Sequence, residues 1–228
     1  MIGKIAGRGD HGNQNGKRTT SQRLVDLAVH FAWHRRLGLD RGGADLIPLP
    51  DLFFARDVVQ VARDLVGAWL QLGACGGWIT ETEAYAADDP ASHSFRGQTP
   101  RNAAMFGPPG TAYVYRSYGL HWCLNVTCLP GSAVLFRSME PVAGLDLMVS
   151  RRQGARPLAA GPGRLGQALG VSAALNGQRY ATQELLLAPG PVHEIVCGPR
   201  IGIRQAADRP WRFGQAKSPY LSRPFPAA

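Results

Sequence analysis

The sequence contains no long hydrophobic run. No apolar stretch in its 228 residues approaches the ~20 residues that a membrane-spanning helix needs. The first residues are polar and rich in glycine, unlike a secretory signal. The hydrophobic content of 45% is nevertheless in the range of globular proteins. We therefore expect a protein that does not interact with membranes and is cytoplasmic, or nucleoid-associated if its source is bacterial.

Cysteine is scarce, and its spacing carries no signature. The chain has four cysteines, none of which form a Cys-x-x-Cys pair. Reduced thiols are typical of an intracellular compartment, so this pattern agrees with the predicted location. No internal repeat is visible in the sequence either.

Lysine is nearly absent, although the chain is strongly basic. There are 22 arginines and 3 lysines, and the formal net charge is +9. A genome that prefers arginine codons would explain the choice of arginine, but not where the charge lies. Residues 81–89 carry four acids and no base, whereas residues 90–180 carry nine arginines against two acids. A small acidic island in a basic surface favours catalysis on a polyanion such as nucleic acid.

The acidic island begins in a predicted strand at residues 79–85. β-Branched and aromatic residues alternate with other types along this stretch. Because alternate side chains of a strand share a face, Glu81, Glu83 and Tyr85 should point the same way. A carboxylate beside a phenol on a rigid strand forms a candidate chemical site.

The segment that follows, residues 88–109, is predicted to be a functional loop. Its many prolines and glycines prevent regular structure, and it is too long for a simple connector. It carries His93 and Arg101. A histidine in a loop is often only a structural hydrogen-bonding group, and its nearness to the Glu83 strand leaves the catalytic and structural interpretations equally open.

Residues 111–127 have the pattern of a β-hairpin. Tyr113 and Tyr115 alternate on the first strand, and Asn125 and Thr127 alternate on the second. Tyr118 falls in the turn, where exposure of an aromatic ring is unusual. It is interpreted either as a wedge inserted between stacked bases or as an ordinary tyrosine folded back on the sheet.

The remaining elements are predicted more coarsely. Residues 1–45 should form a flexible basic extension. The tail at residues 211–219, basic and aromatic, is either a second DNA contact or a packed C-terminal segment. Apolar patterns predict helices at Asp51–Val66, Val142–Arg152 and after the Gly-rich turn 160–164, and strands at 68–72, 133–138, 184–187 and 201–204.

A carboxylate, neighbouring aromatic residues, a candidate wedge and a basic surface together fit a base-flipping enzyme. Such enzymes extrude one nucleotide from DNA and hold the base between aromatic side chains. The carboxylate would then activate water to attack the sugar C1′ as the base departs.

The same residues resemble the mammalian type of alkyladenine (3-methyladenine) DNA glycosylase, over about residues 51–223. The loop between His93 and Gln98 is shorter than in mammalian members and contains Phe95, which leaves the pocket shape open. The resemblance is carried by Glu81-Thr-Glu-Ala-Tyr85, His93-Ser94, Gln98-Thr-Pro-Arg-Asn102, Met105-Phe106, Pro109-Gly-Thr111, Tyr113-Val-Tyr115, Tyr118-Gly119, Asn125 and Arg137.

The resemblance implies roles for the residues at the reaction centre. Glu83 matches the general base that deprotonates the attacking water, and Arg137 matches the arginine that helps to hold this water. Tyr85, His93 and Tyr115 match the residues that stack on the flipped base or bind its edge. Family members are monofunctional and need no metal or other cofactor.

Further roles concern the contact with DNA. By resemblance, Tyr118 enters the minor groove and fills the vacated space, and Asn125 crowds the exocyclic amine of guanine. The basic residues Arg101, Arg116 and Arg164 are predicted to contact the DNA backbone. The substrates implied are duplexes that contain 3-methyladenine, 7-methylguanine, hypoxanthine or ethenoadenine.

The sequence therefore predicts an α+β protein with one mixed domain at residues 46–228. A curved antiparallel β-sheet should carry a protruding, DNA-inserting hairpin, and the protein should be a monomer that starts base excision repair. Two alternatives remain open. One is a metal-dependent nuclease that uses Glu81, Glu83, Asp88, Asp89 and His93 as ligands, and the other is a non-catalytic basic module that binds DNA by charge.

Overall fold

The structure is a computed structural model that describes residues 46–226. The extension predicted at residues 1–45 lies outside the described residues. The described chain forms helices α1 (Asp51–Phe54), α2 (Val58–Asp64), α3 (Leu145–Arg151) and α4 (Pro162–Leu169), 3₁₀ turns at Ala103–Phe106 and Ala173–Leu175, and strands β1 (Trp69–Leu72), β2 (Cys75–Tyr85), β3 (Ala112–Ser117), β4 (His121–Thr127), β5 (Ala133–Ala143), β6 (Leu185–Ala188), β7 (Ile195–Gly198) and β8 (Arg212–Gln215).

One curved sheet dominates the fold, and all of its strand pairs are antiparallel. The main order is β3-β4-β5-β2-β1-β6, and β8 joins β2 to β7. The first half of β2 pairs with β1, and its second half pairs with β8. The pairing of β2 with β5 contains irregularities near the change of partner, which bend the sheet there. The predicted α+β class and curved antiparallel sheet are confirmed.

The core lies between the sheet and the short helices. The side chains of Leu70, Ile79 and Phe136 are fully buried on the sheet, and those of Val61 and Leu165 meet them from α2 and α4. Burial of apolar area of this kind is the main favourable contribution to folding. None of the helices within residues 46–226 has the length and apolar character that a bilayer crossing demands.

Helix α4 approaches β4 so closely that only glycine fits at position 166. A Cβ atom on Gly166 would lie 2.2 Å from the carbonyl oxygen of Trp122. The contact fixes α4 against β4 near the turn of the β3–β4 hairpin. The N-terminus of α4 is held in turn by β5, because the Gly161 N–H donates to the Arg137 carbonyl oxygen at 2.9 Å.

The single helix predicted at Asp51–Val66 is wrong, because the chain forms two short helices there. Asp57 interrupts the helical pattern and caps α2, since its Oδ1 accepts hydrogen bonds from the N–H groups of Val59 and Gln60, both at 3.1 Å. Aspartate is a preferred N-cap residue. The apolar spacing was therefore correct, but the start of the second helix was missed.

The C-terminal strands also differ from prediction. Residues 201–204 form bends instead of the predicted strand, whereas β7 and β8 were not predicted. The helix predicted from Val142 begins at Leu145, because β5 continues to Ala143. Strand β8 lies within the tail at residues 211–219 and pairs with β2 and β7, so the tail is packed on the sheet.

Strands β3 and β4 form the predicted hairpin. Ser117 pairs with His121, and the Leu120 N–H donates to the Ser117 carbonyl oxygen at 3.0 Å. Tyr118 and Gly119 both have positive φ angles, of 51° and 70°, as a tight hairpin turn of this hand requires. A tyrosine in this conformation stores backbone strain, and the Tyr118 side chain is 88% exposed.

Candidate active site

The centre of the candidate site is the carboxylate of Glu83 on β2. Its Oε1 accepts a hydrogen bond from the Ile201 N–H at 2.7 Å and lies 3.2 Å from Arg137 Nη1. Its Oε2 accepts from the Tyr85 hydroxyl at 2.9 Å. Three different segments thus hold one buried carboxylate: β2 itself, β5 and the bend at residue 201.

Glu81, two residues earlier on the same strand, has a different environment. Its Oε1 accepts from Arg137 Nε at 3.1 Å and from Arg212 Nε at 2.7 Å. Ser138 and the backbone N–H and hydroxyl of Ser222 complete the shell. Arg137 therefore bridges Glu81 and Glu83, which confirms that these two side chains share a face.

A cavity of about 470 Å³ opens beside these residues. This volume is in the usual range for ligand sites in proteins, about 300–1,000 Å³. The fold brings predicted site residues from strands, loops and the hairpin turn to the walls or the mouth of this cavity. They are Tyr85, His93, Arg101, Tyr115, Arg116, Tyr118, Asn125 and Arg137. Further lining residues are Met105, Tyr113, Cys123, Leu135, Pro162, Ile201, Gly202 and Ile203.

Three aromatic rings form one wall of the cavity. The His93 ring lies 4.5 Å from the Tyr115 ring in an edge-on arrangement, and the Tyr113 and Tyr115 rings are 5.5 Å apart. The His93 Nδ1 and the Tyr113 hydroxyl are joined by a hydrogen bond of 2.9 Å. The loop histidine is thus fixed to the hairpin, and both members of the tyrosine alternation face the cavity.

The floor of the cavity follows from the register of the hairpin. Tyr113 pairs with Asn125 and Tyr115 pairs with Cys123, so these four side chains lie on one face. The Asn125 Nδ2 donates to the Tyr113 carbonyl oxygen at 2.8 Å, which fixes the amide in place. Cys123 was not among the predicted site residues, although it follows the same alternation as Asn125. Leu135 continues the row, since it pairs with both Asn125 and Glu83.

Burial determines the protonation of the site. It raises the pKa of the Glu83 carboxyl, while Arg137, the Ile201 N–H and the Tyr85 hydroxyl act in the opposite direction. Burial, assisted by the charge of Glu83, also raises the pKa of Tyr85, so its hydroxyl keeps the proton that it donates. Burial and the charge of Arg101 lower the pKa of His93, which favours a neutral imidazole at neutral pH.

Glu83 does not itself line the cavity. Its side chain is fully buried, and the Tyr85 and Arg137 side chains that bind its carboxylate line the cavity. The sequence predicted Glu83 as the base that activates the attacking water, and these two side chains connect it to the cavity.

Two of the three predicted backbone-contacting arginines lie at the mouth. Arg101 and Arg116 line the cavity and are exposed, and Arg116 also stacks over Trp122 at 5.2 Å. Arg164 lies on α4, exposed and outside the cavity lining, and its Nη1 donates to the Ala160 carbonyl oxygen. Tyr118 projects from the hairpin tip at the same mouth.

The ligand cluster required by a nuclease is not assembled. Asp89 forms a buried ion pair with Arg200, and Glu81 is bound by Arg137 and Arg212. Within residues 46–226, no three His, Cys, Asp or Glu side chains are grouped as metal ligands would be. Three of the four acids in the acidic island are therefore held by arginines, since Glu81 and Glu83 share Arg137 and Asp89 binds Arg200.

The sequence did not indicate that the bend at residues 200–203 forms part of the site. Ile201, Gly202 and Ile203 line the cavity, and Arg200 lies directly behind them. The apolar alternation of this segment suggested a strand, but Gly202 has a φ of 81°, which a regular strand does not allow. A glycine between two isoleucines was the available signal for a bend.

Comparison with known proteins gives a consistent result. The sequence model of the methylpurine-DNA glycosylase family matches residues 52–219. Three bacterial relatives bear the name "Putative 3-methyladenine DNA glycosylase". The one from Rhodopseudomonas palustris is 55% identical over 76% of this chain and 87% of its own length. Those from Nitrosospira multiformis and Agrobacterium fabrum are 54% and 52% identical, over 77% and 78% of this chain and 94% and 93% of their own lengths.

Proposed function

The chain belongs to the methylpurine-DNA glycosylase family and is a DNA glycosylase, and on that premise we propose that it flips alkylated or deaminated purines out of duplex DNA into the cavity beside Glu83. The observation that carries the proposal is a buried Glu83 bound to Arg137, which lines a cavity with an aromatic wall and an exposed tyrosine at its mouth. Residues 46–228 form the glycosylase domain in this proposal.

Glu83 acts as the general base. A water between Arg137 and the Tyr85 hydroxyl gives its proton to the carboxylate while its oxygen attacks C1′ of the deoxyribose. The N-glycosidic bond breaks, and its electron pair leaves with the base. Since Tyr85 covers Oε2, a small rotation of this hydroxyl away from Glu83 opens the position that the water occupies.

The aromatic wall binds the flipped base. Tyr85 and Tyr115 provide ring faces, and His93, held by Tyr113, provides a hydrogen-bonding edge. Asn125 is fixed to the hairpin backbone on the same face, where its rigid amide crowds the exocyclic amine of guanine. Stacking selects purines in general, and this steric contact disfavours guanines. Undamaged guanine is therefore rejected, whereas 7-methylguanine reacts because its positive charge weakens the N-glycosidic bond.

The substrate class follows from the leaving group. A base methylated at a ring nitrogen, such as 3-methyladenine or 7-methylguanine, carries a positive charge and departs as a neutral molecule without an acid catalyst. Such lesions therefore require only a fitted pocket and a positioned water. We propose hypoxanthine and ethenoadenine as further substrates, because their flat rings fit the same aromatic wall. These bases are neutral, so each must also take up a proton as its N-glycosidic bond breaks.

Tyr118 fills the space that the flipped nucleotide leaves in the duplex. Its ring is 88% exposed and its φ is 51°, a combination that gives the isolated protein no packing benefit. Strain of this kind is commonly kept at functional sites. Arg101 and Arg116 flank the mouth and Arg164 lies on α4, where each can neutralise a DNA phosphate.

Incubation with duplexes that carry one ethenoadenine, hypoxanthine or 7-methylguanine tests the activity, with alkali used to reveal abasic sites. Wild-type protein should produce strand breaks only after alkali treatment, and only at the damaged base. Breaks without alkali, or no release of any of these bases, would contradict the proposal. An undamaged duplex of the same sequence is the control.

The wedge is tested separately by Tyr118→Ala. Because the pocket stays intact, we expect single-turnover hydrolysis in duplex DNA to fall by on the order of tenfold or more, since stacking contributes about 1–3 kcal/mol. The same lesion in single-stranded DNA should be affected less. Val192→Ala, another exposed apolar side chain, is the control. Unchanged rates on duplex DNA would exclude the role of Tyr118.

A further inference from the structure

A buried ion pair lies behind the wall of the cavity and takes no part in the chemistry described above. Arg200 Nη1 and Nη2 bind the two carboxylate oxygens of Asp89, the second at 3.1 Å, and both side chains are fully buried. The same guanidinium donates to the carbonyl oxygens of Ala84 at 2.9 Å and Ala206 at 3.3 Å. It therefore ties together β2, the start of the 88–109 loop and the bend at residues 200–206.

The guanidinium also supports the Tyr85 ring. Its central carbon lies 4.7 Å from the centroid of Tyr85 and 5.3 Å from that of Trp211. Arg200 does not line the cavity although Tyr85 does, so it covers the ring from the protein interior. Arg200 Nε has no hydrogen-bond partner among the described residues. The guanidinium of Arg200 therefore packs on the rings of Tyr85 and Trp211, while its Nε–H donor stays unsatisfied among the described residues.

The next residue connects the ion pair to the reaction centre. The Ile201 N–H, one peptide bond beyond Arg200, donates to Glu83 Oε1 at 2.7 Å. The following residues, Gly202 and Ile203, line the cavity. Any displacement of Arg200 must therefore move both this N–H and the ring of Tyr85.

The geometry points to Asp89 and Arg200 as a positioning pair for the hydrolysis, an inference that depends on the proposed function of Glu83. The pair sets the plane of the Tyr85 ring against the flipped base and aims the Ile201 N–H at the carboxylate of Glu83. Neither residue touches the substrate, so both act through Tyr85 and Ile201.

The pH dependence provides a signature of this role. The hydrogen bond from the Ile201 N–H lowers the pKa of Glu83, so the loss of this bond raises that pKa. The acid limb of the pH–rate profile, along which activity falls as Glu83 takes up a proton, then moves to higher pH. Such a variant retains the other ionisable groups that face Glu83 from the elements around it, and of these only Tyr85 is in contact with Arg200 and moves with it. These groups are Glu81 and Tyr85 of β2, Tyr115 of β3, Cys123 of β4 and Arg137 of β5.

The decisive variant is the double substitution Asp89→Asn/Arg200→Met. Replacement of both members of a buried ion pair by neutral residues of similar size is often neutral for stability, whereas removal of one is not. We expect this protein to fold and to cleave a 7-methylguanine duplex on the order of tenfold to a hundredfold more slowly, the range for a small misplacement of reacting groups. Its acid limb should lie at higher pH, and its affinity for abasic DNA should change little.

A milder variant perturbs the same bend without touching a buried charge. The methyl group added by Gly202→Ala would lie in open space, but the substitution strains the backbone there, because φ is 81°. It should shift the acid limb in the same direction by a smaller amount. Gly154→Ala, with a φ of 76° and equally open surroundings, is the matched control. Arg56→Met/Asp64→Asn, which removes an exposed ion pair, is the control for the double variant.

The outcomes separate this inference from the proposed function. An inactive wild-type protein would refute the function of the site itself. An active wild-type protein whose Gly202→Ala and double variants keep the wild-type rate and acid limb would refute the positioning role alone. If the double variant fails to fold, the rate and the acid limb of Gly202→Ala decide whether the positioning role stands.

Discussion

Glu81 and Glu83 lie two residues apart on β2 and are equally buried, but their surroundings differ. Glu81 is held by two arginines and two serines from β5, β8 and the C-terminal segment, and each of its oxygens is bound more than once. Glu83 shares one arginine with it, and its remaining partners are a backbone N–H and a tyrosine hydroxyl that also line the cavity.

The difference fits a structural role for Glu81 and the chemical role that we propose for Glu83. A carboxylate that two arginines bind from different strands joins segments of the chain. A carboxylate with fewer partners in a buried position has a raised pKa and gains from taking up a proton, which suits a general base. Arg137 connects the two, because Nε binds Glu81 while Nη1 faces Glu83.

Glu83→Gln should have the largest effect on activity. We expect hydrolysis of a 7-methylguanine duplex to fall by roughly 10³- to 10⁴-fold, since the general base is lost. The melting temperature at neutral pH should stay unchanged or rise. The folded-state pKa of Glu83 is raised, so its favourable contribution to stability exists at low pH and is lost as the pH rises through that pKa. A large loss of stability in this variant would show that Glu83, like Glu81, has a structural role.

Glu81→Gln should show the converse pattern. Two buried arginines lose their shared counter-ion, so the free energy of unfolding should fall by about 3 kcal/mol. Activity per folded molecule should fall far less than in Glu83→Gln, and urea unfolding together with single-turnover rates at low temperature measure the two quantities. Asp64→Asn, which breaks an exposed ion pair, should cost no more than about 0.5 kcal/mol. Equal losses of activity in the two glutamine variants would remove the distinction.

Tyr85→Phe sharpens the comparison within the Glu83 site. The ring remains for stacking, but the hydrogen bond to Oε2 is lost. A hydrogen bond to a charged group contributes roughly 1.5–3 kcal/mol, so we expect a decrease in rate of about tenfold or more. The acid limb should also move to higher pH, because this hydroxyl lowers the pKa of Glu83. Tyr113→Phe, whose hydroxyl binds His93 instead, should leave the acid limb unchanged.

The smallest effect is a displacement of the wild-type pH profile. With 7-methylguanine, which leaves without an acid catalyst, the rate should fall on the acid side with a midpoint above 4.5, the ordinary value for a glutamate. The reason is that burial raises the pKa of Glu83 more than its partners lower it. A rate that stays constant below this pH would show that another group is the base.

The sequence predicted the strand that carries both glutamates and the hairpin that carries the tyrosines, because period-two alternation is a local property. The resemblance assigned Glu83 and Arg137 to the same water, and the two side chains are in contact in the structure. Prediction from the sequence failed at residues 51–66, where a capping aspartate divides the helix, and at residues 201–204, where a bend replaces the predicted strand. Such features depend on single residues within otherwise regular patterns.

The amino-acid sequence by itself determined which side chains share a face, since strand geometry leaves little choice once the alternation is given. Only the tertiary structure decided that Glu81 is bound by Arg212 and Ser222, that Asp89 belongs to Arg200, and that the bend at Ile201 closes over Glu83. These contacts join residues more than 100 positions apart in the chain. Their pairing depends on how the sheet curves, and no local pattern encodes that curvature.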